Sequence, residues 1–182
     1  MSLRHGFKTE ANWYAREMRR ELGLPAHGIL CPWRLAEHLE FPVVPLKAYE
    51  AAEPKAVAYF RSRLGQREFS AITIFHGQAR LIVHNDAHEL ERQASNIAHE
   101  LAHGLLLHPP KPPIDEQGSR HYNPVLEEEA NWLGPALLVS DEAAVRVVRL
   151  GLTVPAAATL YKVSSQVMQM RINVSGARKR AA

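Results

Sequence analysis

Apolar residues along the chain recur with two spacings, helical at the ends and extended in between. From Glu10 to Leu22 the spacing is helical, with Trp13, Ala15, Met18 and Leu22 near one face and Arg16, Glu17, Arg19 and Arg20 mostly elsewhere. Gly23, with Pro25 behind it, ends that helix, and the cluster Arg16-Arg19-Arg20 reads as a solvated face. Pro32 suits the first turn of a second short helix carrying Leu35, Ala36 and Leu39. Cys31, just before it, reads as a buried small apolar residue. From Phe41 to His84 the pattern is extended. Val43 to Leu46 predicts a short edge strand, because Pro45 cannot donate to a ladder, and Ala56–Phe60 and Ala71–Phe75 predict strands rich in β-branched and aromatic residues. His76-Gly77-Gln78 is a turn, with Ala79–Val83 the strand returning from it. These segments predict a small, mainly antiparallel sheet of three or four strands.

Helical spacing resumes near Asp86. Asp86 and Glu89 read as a capping box, Ile97, Leu101, Leu105 and Leu106 form an apolar stripe, and Pro109-Pro110 stop the helix. A polar, proline-rich connector from His108 to Asn123 follows, long enough to be either a functional loop or disordered. A second helical pattern opens at Glu127-Glu128-Glu129, and a third covers Asp141 to Leu150, capped by Ser140 or Asp141 and stopped at Gly151. Val154–Tyr161 and Ser164–Ile172 then make two short helices with a helix-turn-helix rhythm. Gln166, Gln169 and Arg171 partly suit a groove-reading helix, but Val167, Met168, Met170 and Ile172 make it too apolar, so packing rather than DNA contact is expected. Arg178-Lys179-Arg180 belongs to a basic tail expected to be disordered. The organisation is one domain over 1–182, with a core at about 10–150, a helical pair at 151–174 and a tail at 175–182. Its class is α+β, the sheet packed on the helix beginning near Asp86 and on a further helical bundle.

Composition narrows the function classes more than the fold. A chain of 182 residues with 46% apolar content suits a globular domain with a real core. A net charge of +3 is too small to argue for nucleic-acid binding alone. One cysteine excludes an internal disulfide and fits a reducing compartment. No apolar stretch follows Met1–Gly6 as a secretory leader would, and no run reaches membrane-spanning length, so a soluble cytoplasmic protein is expected.

The chemistry concentrates in Asn96-Ile97-Ala98-His99-Glu100-Leu101-Ala102-His103-Gly104, which reads H-E-x-x-H on a helix. Residues four apart share a helix face, so His99 and His103 can direct two imidazoles at one metal ion. Glu100 lies beside them, able to take a proton from a water activated there without binding the metal. Ala98, Ala102 and Gly104 keep bulk away. A catalytic zinc needs a third protein ligand, and the glutamates of the next helix offer it. Glu127 shares a face with Asn131, which lets Asn131 hydrogen-bond a ligand while Glu127 binds; Glu128 is the alternative, and an acidic first turn favoured by the helix dipole needs no metal at all. The connector between the two helices can overhang the metal, so His121 and Tyr122, with Arg120 behind them, are candidates for stabilising the oxyanion and assisting the leaving amine. His76, His84 and His88 sit at turns or element ends and read as surface histidines.

The run Val83-His84-Asn85-Asp86 … Glu91-Arg92-Gln93 … Ile97-Ala98-His99-Glu100-Leu101-Ala102-His103-Gly104-Leu105-Leu106-Leu107-His108 closely resembles the ImmA/IrrE-type metallopeptidases, in the pattern H-E-x-x-H-x-x-L-x-H. Glu127-x-x-Ala130-Asn131 … Leu137-Leu138-Val139-Ser140 matches the family's E-x-x-A-N and L-L-x-P, and the likeness extends from about Glu10 to about Arg171. Two departures stand in the second helix. Gly134-Pro135 replaces the usual small residues, and Ser140 stands where the family often has Pro; Pro135 is expected to kink the helix or start a new turn. The resemblance implies a zincin-like fold of minimal gluzincin type and one Zn²⁺ per chain held by His99, His103 and Glu127. It also implies peptide hydrolysis directed at a helix-turn-helix repressor or antitoxin; the alternative is a non-cleaving regulatory module that sequesters a repressor or binds DNA.

Overall fold

The computed structural model describes residues 3–76, 79–109 and 123–181. Helix α1 spans Phe7–Glu21 and α2 Pro32–His38; strand β1 is Val43–Pro45, followed by a 3-10 turn over Leu46–Tyr49. Helices α3 (Pro54–Arg61) and α4 (Gly65–Glu68) precede strands β2 (Ala71–His76) and β3 (Ala79–His84). The rest is helical: α5 (Leu90–Leu105), α6 (Pro124–Leu138), α7 (Asp141–Arg149), α8 (Val154–Tyr161), α9 (Ser165–Val174) and α10 (Ala177–Ala181). None of the described helices is long and apolar enough to cross a membrane.

The class is α+β and the sheet is as small as expected, but it is mixed rather than mainly antiparallel. It has three strands in the order β1-β3-β2. β1 runs parallel to β3, with Val43 opposite Ile82, and β2 runs antiparallel to β3, with Thr73 opposite Ile82. Pro45 sits on an edge strand, where its missing N–H does no harm. The expected strand at Ala56–Phe60 is instead helix α3. Pro54 occupies its first turn, and Val57 and Phe60, three apart, turn toward the sheet while Tyr59 faces out. The β-branched and aromatic content of this segment predicts a strand, but only the Val57–Phe60 face has something to pack on, and packing overrides β-propensity. α3 thereby covers Val83, Leu81 and Ile72 on one face of the sheet, while Ile82 joins the core on the other.

That central core is built from α1, α2, α5 and α6: Phe7, Ala11, Leu35, Ile97, Leu101, Ala130, Leu133 and Leu137 are fully buried in it. α6 returns along α5. At Gly134 an added Cβ would lie 3.2 Å from the Cα and N of His99, so glycine permits the close approach of the two helices. Pro135 falls in the last turn of α6, and the helix runs through it to Leu138 rather than restarting there. Beyond it Ser140 caps α7: its Oγ accepts from the Ala143 N–H at 3.1 Å and donates to the Ala26 carbonyl at 2.7 Å. A proline at that position could do neither.

The C-terminal helices bury Ala144, Val147, Ala157, Tyr161, Met168 and Ile172 against the end of α6. Three local expectations change here and in α1. Arg19, expected on a solvated face, is fully buried, donating to the carbonyls of Ala15, Gly28 and Leu138. Arg171, considered for groove reading, is 1% exposed and donates to the Val139 carbonyl and to Asp141. The tail is helical rather than disordered, because Ala177 is buried and Arg180 reaches Asp141. Cys31, expected to be buried, is instead exposed, because it sits at the N-cap of α2.

Candidate metal centre

α5 supplies the first part of the site. Its inner face is Ala94, Ile97, Ala98, Leu101 and Ala102, all buried, and the 3.6-residue repeat leaves His99 and His103 together on the neighbouring face. The anticipated capping box is absent. Glu89 occupies the N-cap without a side-chain bond, while Asp86 instead pairs with Arg61 and accepts from the Lys47 N–H at 3.1 Å. Burial at this entry to α5 also reaches His84 and His88, each 5% exposed, so neither is a surface histidine; the His76 side chain lies outside the described atoms.

α6 supplies the second part. Asn123 caps it, accepting from the N–H groups of Val125 and Leu126, and Pro124 occupies the first turn. Glu127 then falls in that turn, where the helix dipole favours a carboxylate. Its Oε2 lies 3.3 Å from His99 Nε2 and its Oε1 3.6 Å from His103 Nε2, while the two Nε2 atoms are 3.1 Å apart. Ligand atoms about 2.0–2.1 Å from a tetrahedral zinc are separated by roughly 3.3 Å, so these spacings match the edges of such a site. A proton satisfies one pair of these groups; a divalent cation satisfies all three. His99, His103 and Glu127 form a group of described residues able to hold a metal ion. His103 and His99 hold the Glu127 carboxyl well below the usual carboxylate range, so it is ionised and ready to ligate.

Glu128 does not join that group, which separates the two candidates left open by the sequence. Asn131 is exposed rather than turned toward a ligand. Glu100 is 7% exposed, and the Thr73 hydroxyl of β2 donates to its Oε2 at 2.6 Å. His121 and Tyr122, with Arg120, lie outside the described residues.

Two side chains near the ligands were missed as part of the site. His108, just past α5, places its Nδ1 2.8 Å from His103 Nδ1, and its Nε2 lies 3.2 Å from Glu129 Oε2. Burial pushes the His108 imidazole down from its ordinary pKa, opposed by Glu129. The signals were present, His108 as the final histidine of H-E-x-x-H-x-x-L-x-H and Glu129 as the third of three glutamates, but spacing alone gave neither a partner.

A two-histidine, one-glutamate cluster thus spans the H-E-x-x-H helix and its antiparallel neighbour, an arrangement able to hold a metal ion. The family model for M78 peptidases, described as the IrrE N-terminal-like domain, matches residues 52–173, and the chain belongs to that family. α1, α2 and β1 precede the matched segment. No curated protein and no solved structure matches the chain.

Proposed function

We propose that the chain is a zinc-dependent endopeptidase of zincin-like, minimal gluzincin build, with one zinc held by His99, His103 and Glu127. The observation that carries this reading is the convergence of two imidazole Nε2 atoms and one carboxylate at tetrahedral-edge spacings. Bound there, zinc supplies Lewis acidity, making a water nucleophilic at neutral pH and polarising the scissile carbonyl. Glu100 takes the proton of the attacking water and delivers it to the departing amine. The Thr73 hydroxyl fixes one oxygen of that carboxylate, leaving Oε1 without a partner among the described residues. β2, which carries Thr73, is a sheet edge, so its unpaired backbone offers an extended peptide a strand to pair with beside Glu100. By family resemblance the substrate is a helix-turn-helix repressor or antitoxin. A DNA-binding role for α9 loses its main cation, since Arg171 is buried against Val139 and Asp141.

The test pairs zinc content with cleavage of candidate repressors. Glu100→Gln should keep about one zinc per chain and lose cleavage by two orders of magnitude or more, roughly the general-base contribution. His99→Ala and Glu127→Ala should lose both. Cleavage by Glu100→Gln at the wild-type rate would overturn the mechanism.

A further inference from the structure

Whether His103 can bind through Nε2 depends on where its other proton sits, and that is set by groups beyond the ligands. A neutral imidazole that ligates through Nε2 carries its proton on Nδ1. His103 Nδ1–H then donates to His108 Nδ1 at 2.8 Å, which requires that nitrogen to be bare. The His108 proton is therefore on Nε2, pointed at Glu129 Oε2 3.2 Å away. Glu129 accepts there and at Oε1, where Arg4 Nε donates at 2.7 Å, and Arg4 in turn pairs with Glu10 at 2.6 Å. Every proton in the chain has one allowed place, and all of them agree with His103 as an Nε2 ligand.

The backbone is bent to make this contact. α5 ends with the His108 N–H on the His103 carbonyl at 3.0 Å and the Leu107 N–H on the Gly104 carbonyl at 3.1 Å, the two bonds of a Schellman motif. The left-handed position in that motif favours glycine, yet here it is Leu107, with φ 53° and its side chain exposed. The turn brings the His108 ring back onto His103, their centroids 4.9 Å apart. The side chains of His108 and Glu129 are each 7% exposed, so little water competes for either contact.

We propose that His108 and Glu129, anchored by Arg4, form a hydrogen-bond relay that fixes the tautomer and ring orientation of His103 as a metal ligand. They are positioning residues, and the inference rests on the metal-site reading above. It makes zinc affinity depend on Arg4, which precedes the family-matched segment 52–173.

The experiment measures zinc affinity by chelator competition and the visible spectrum of the Co²⁺-loaded full chain, for wild type, His108→Phe, His108→Gln, Glu129→Gln and Arg4→Ala. His108→Phe and Glu129→Gln should weaken zinc binding by roughly 10- to 100-fold and alter the Co²⁺ spectrum, as expected on losing a ligand's hydrogen-bond partner. His108→Gln keeps one acceptor and one donor in the same order and should recover part of that loss. Arg4→Ala should have the smallest effect. If His108→Phe fails to fold, Glu129→Gln, nearly unchanged in volume, decides. Wild-type affinity and spectrum in the folded variants would overturn the relay alone. A wild-type protein that takes up no zinc would overturn the metal-site reading and the relay with it.

Discussion

The two ends of α6 carry buried or half-buried charge in opposite ways. At the N-terminal end the charges are carboxylates, Glu127 and Glu129, and their partners are other side chains: His99, His103, His108 and Arg4. At the C-terminal end they are guanidiniums, and the partners are largely backbone. Arg19 donates to the Leu138 carbonyl at 3.1 Å and Arg171 to the Val139 carbonyl at 2.8 Å. Both placements suit the helix dipole, anions at the start and cations at the finish. They differ in what they leave open. Glu127, at 23% side-chain exposure, keeps acceptor capacity for a ligand. Arg19 and Arg171, at 0% and 1%, are sealed. One end can do chemistry; the other ties α1 and α9 to α6.

The largest effect should come from separating these roles. Arg171→Met strips the Val139 carbonyl and Asp141 of a buried donor and should cost about 3–5 kcal/mol, the usual loss on breaking a buried charged pair. The protein that remains folded should still bind zinc with wild-type affinity. Glu127→Ala should behave in reverse, losing zinc while changing the metal-free stability by less than about 1 kcal/mol, because its imidazole partners are partly exposed. Urea melts of the zinc-free proteins, together with chelator competition, measure both quantities. Loss of zinc affinity in folded Arg171→Met would mean that the two ends are one unit.

The same contrast explains what could be read from the sequence. His99, Glu100 and His103 were legible because a metal site demands particular residue types at helical spacing on one segment. Glu127 was legible only in part. Choosing it over Glu128 needs the rotation of α6 about its axis, and Gly134 lying against the His99 backbone helps set that packing. Arg19 and Arg171 were not legible, since a buried arginine bonded to carbonyls has the same local sequence as a solvated one. α3 was misread for a related reason: its apolar residues fit both periods, and only the position of the sheet selects Val57 and Phe60.

A middle-sized effect should come from Gly134, which lies between the two ends. Alanine there puts a methyl 3.2 Å from the backbone of His99, a contact that side-chain rotation cannot relieve. α5 and α6 must separate by a few tenths of an ångström, at roughly 1–3 kcal/mol for overpacking. Because the displaced residue is itself a proposed ligand, zinc affinity should fall as well, unlike in Arg171→Met. A Gly134→Ala protein with lowered Tm but unchanged zinc affinity would show that the site tolerates helix separation.

The smallest effect is a pH dependence expected at the entry to α5. His88, at the entry to α5, is neutral and fully partnered: Nε2 donates to the Gln66 carbonyl at 2.9 Å, and Nδ1 accepts from the Asn96 amide at 3.3 Å. A second proton has nowhere to go, since Nδ1 already faces a donor. Burial pushes the His88 pKa below its ordinary 6.5, opposed by the Gln66 carbonyl, and pushes His84 in the same direction. An unfolded chain takes up those protons near pH 6.5, whereas the folded chain resists. Stability is therefore fully present above that pH and lost as pH falls below it. Arg19 does not enter this window: burial lowers it only to about 10. The Tm of zinc-free protein should accordingly fall between pH 7.5 and 5 with the same slope in wild type and Arg171→Met. His88→Leu, though less stable at neutral pH, should show a shallower fall. An unchanged slope in His88→Leu would assign the acid sensitivity to His84 or His108, which burial pushes in the same direction.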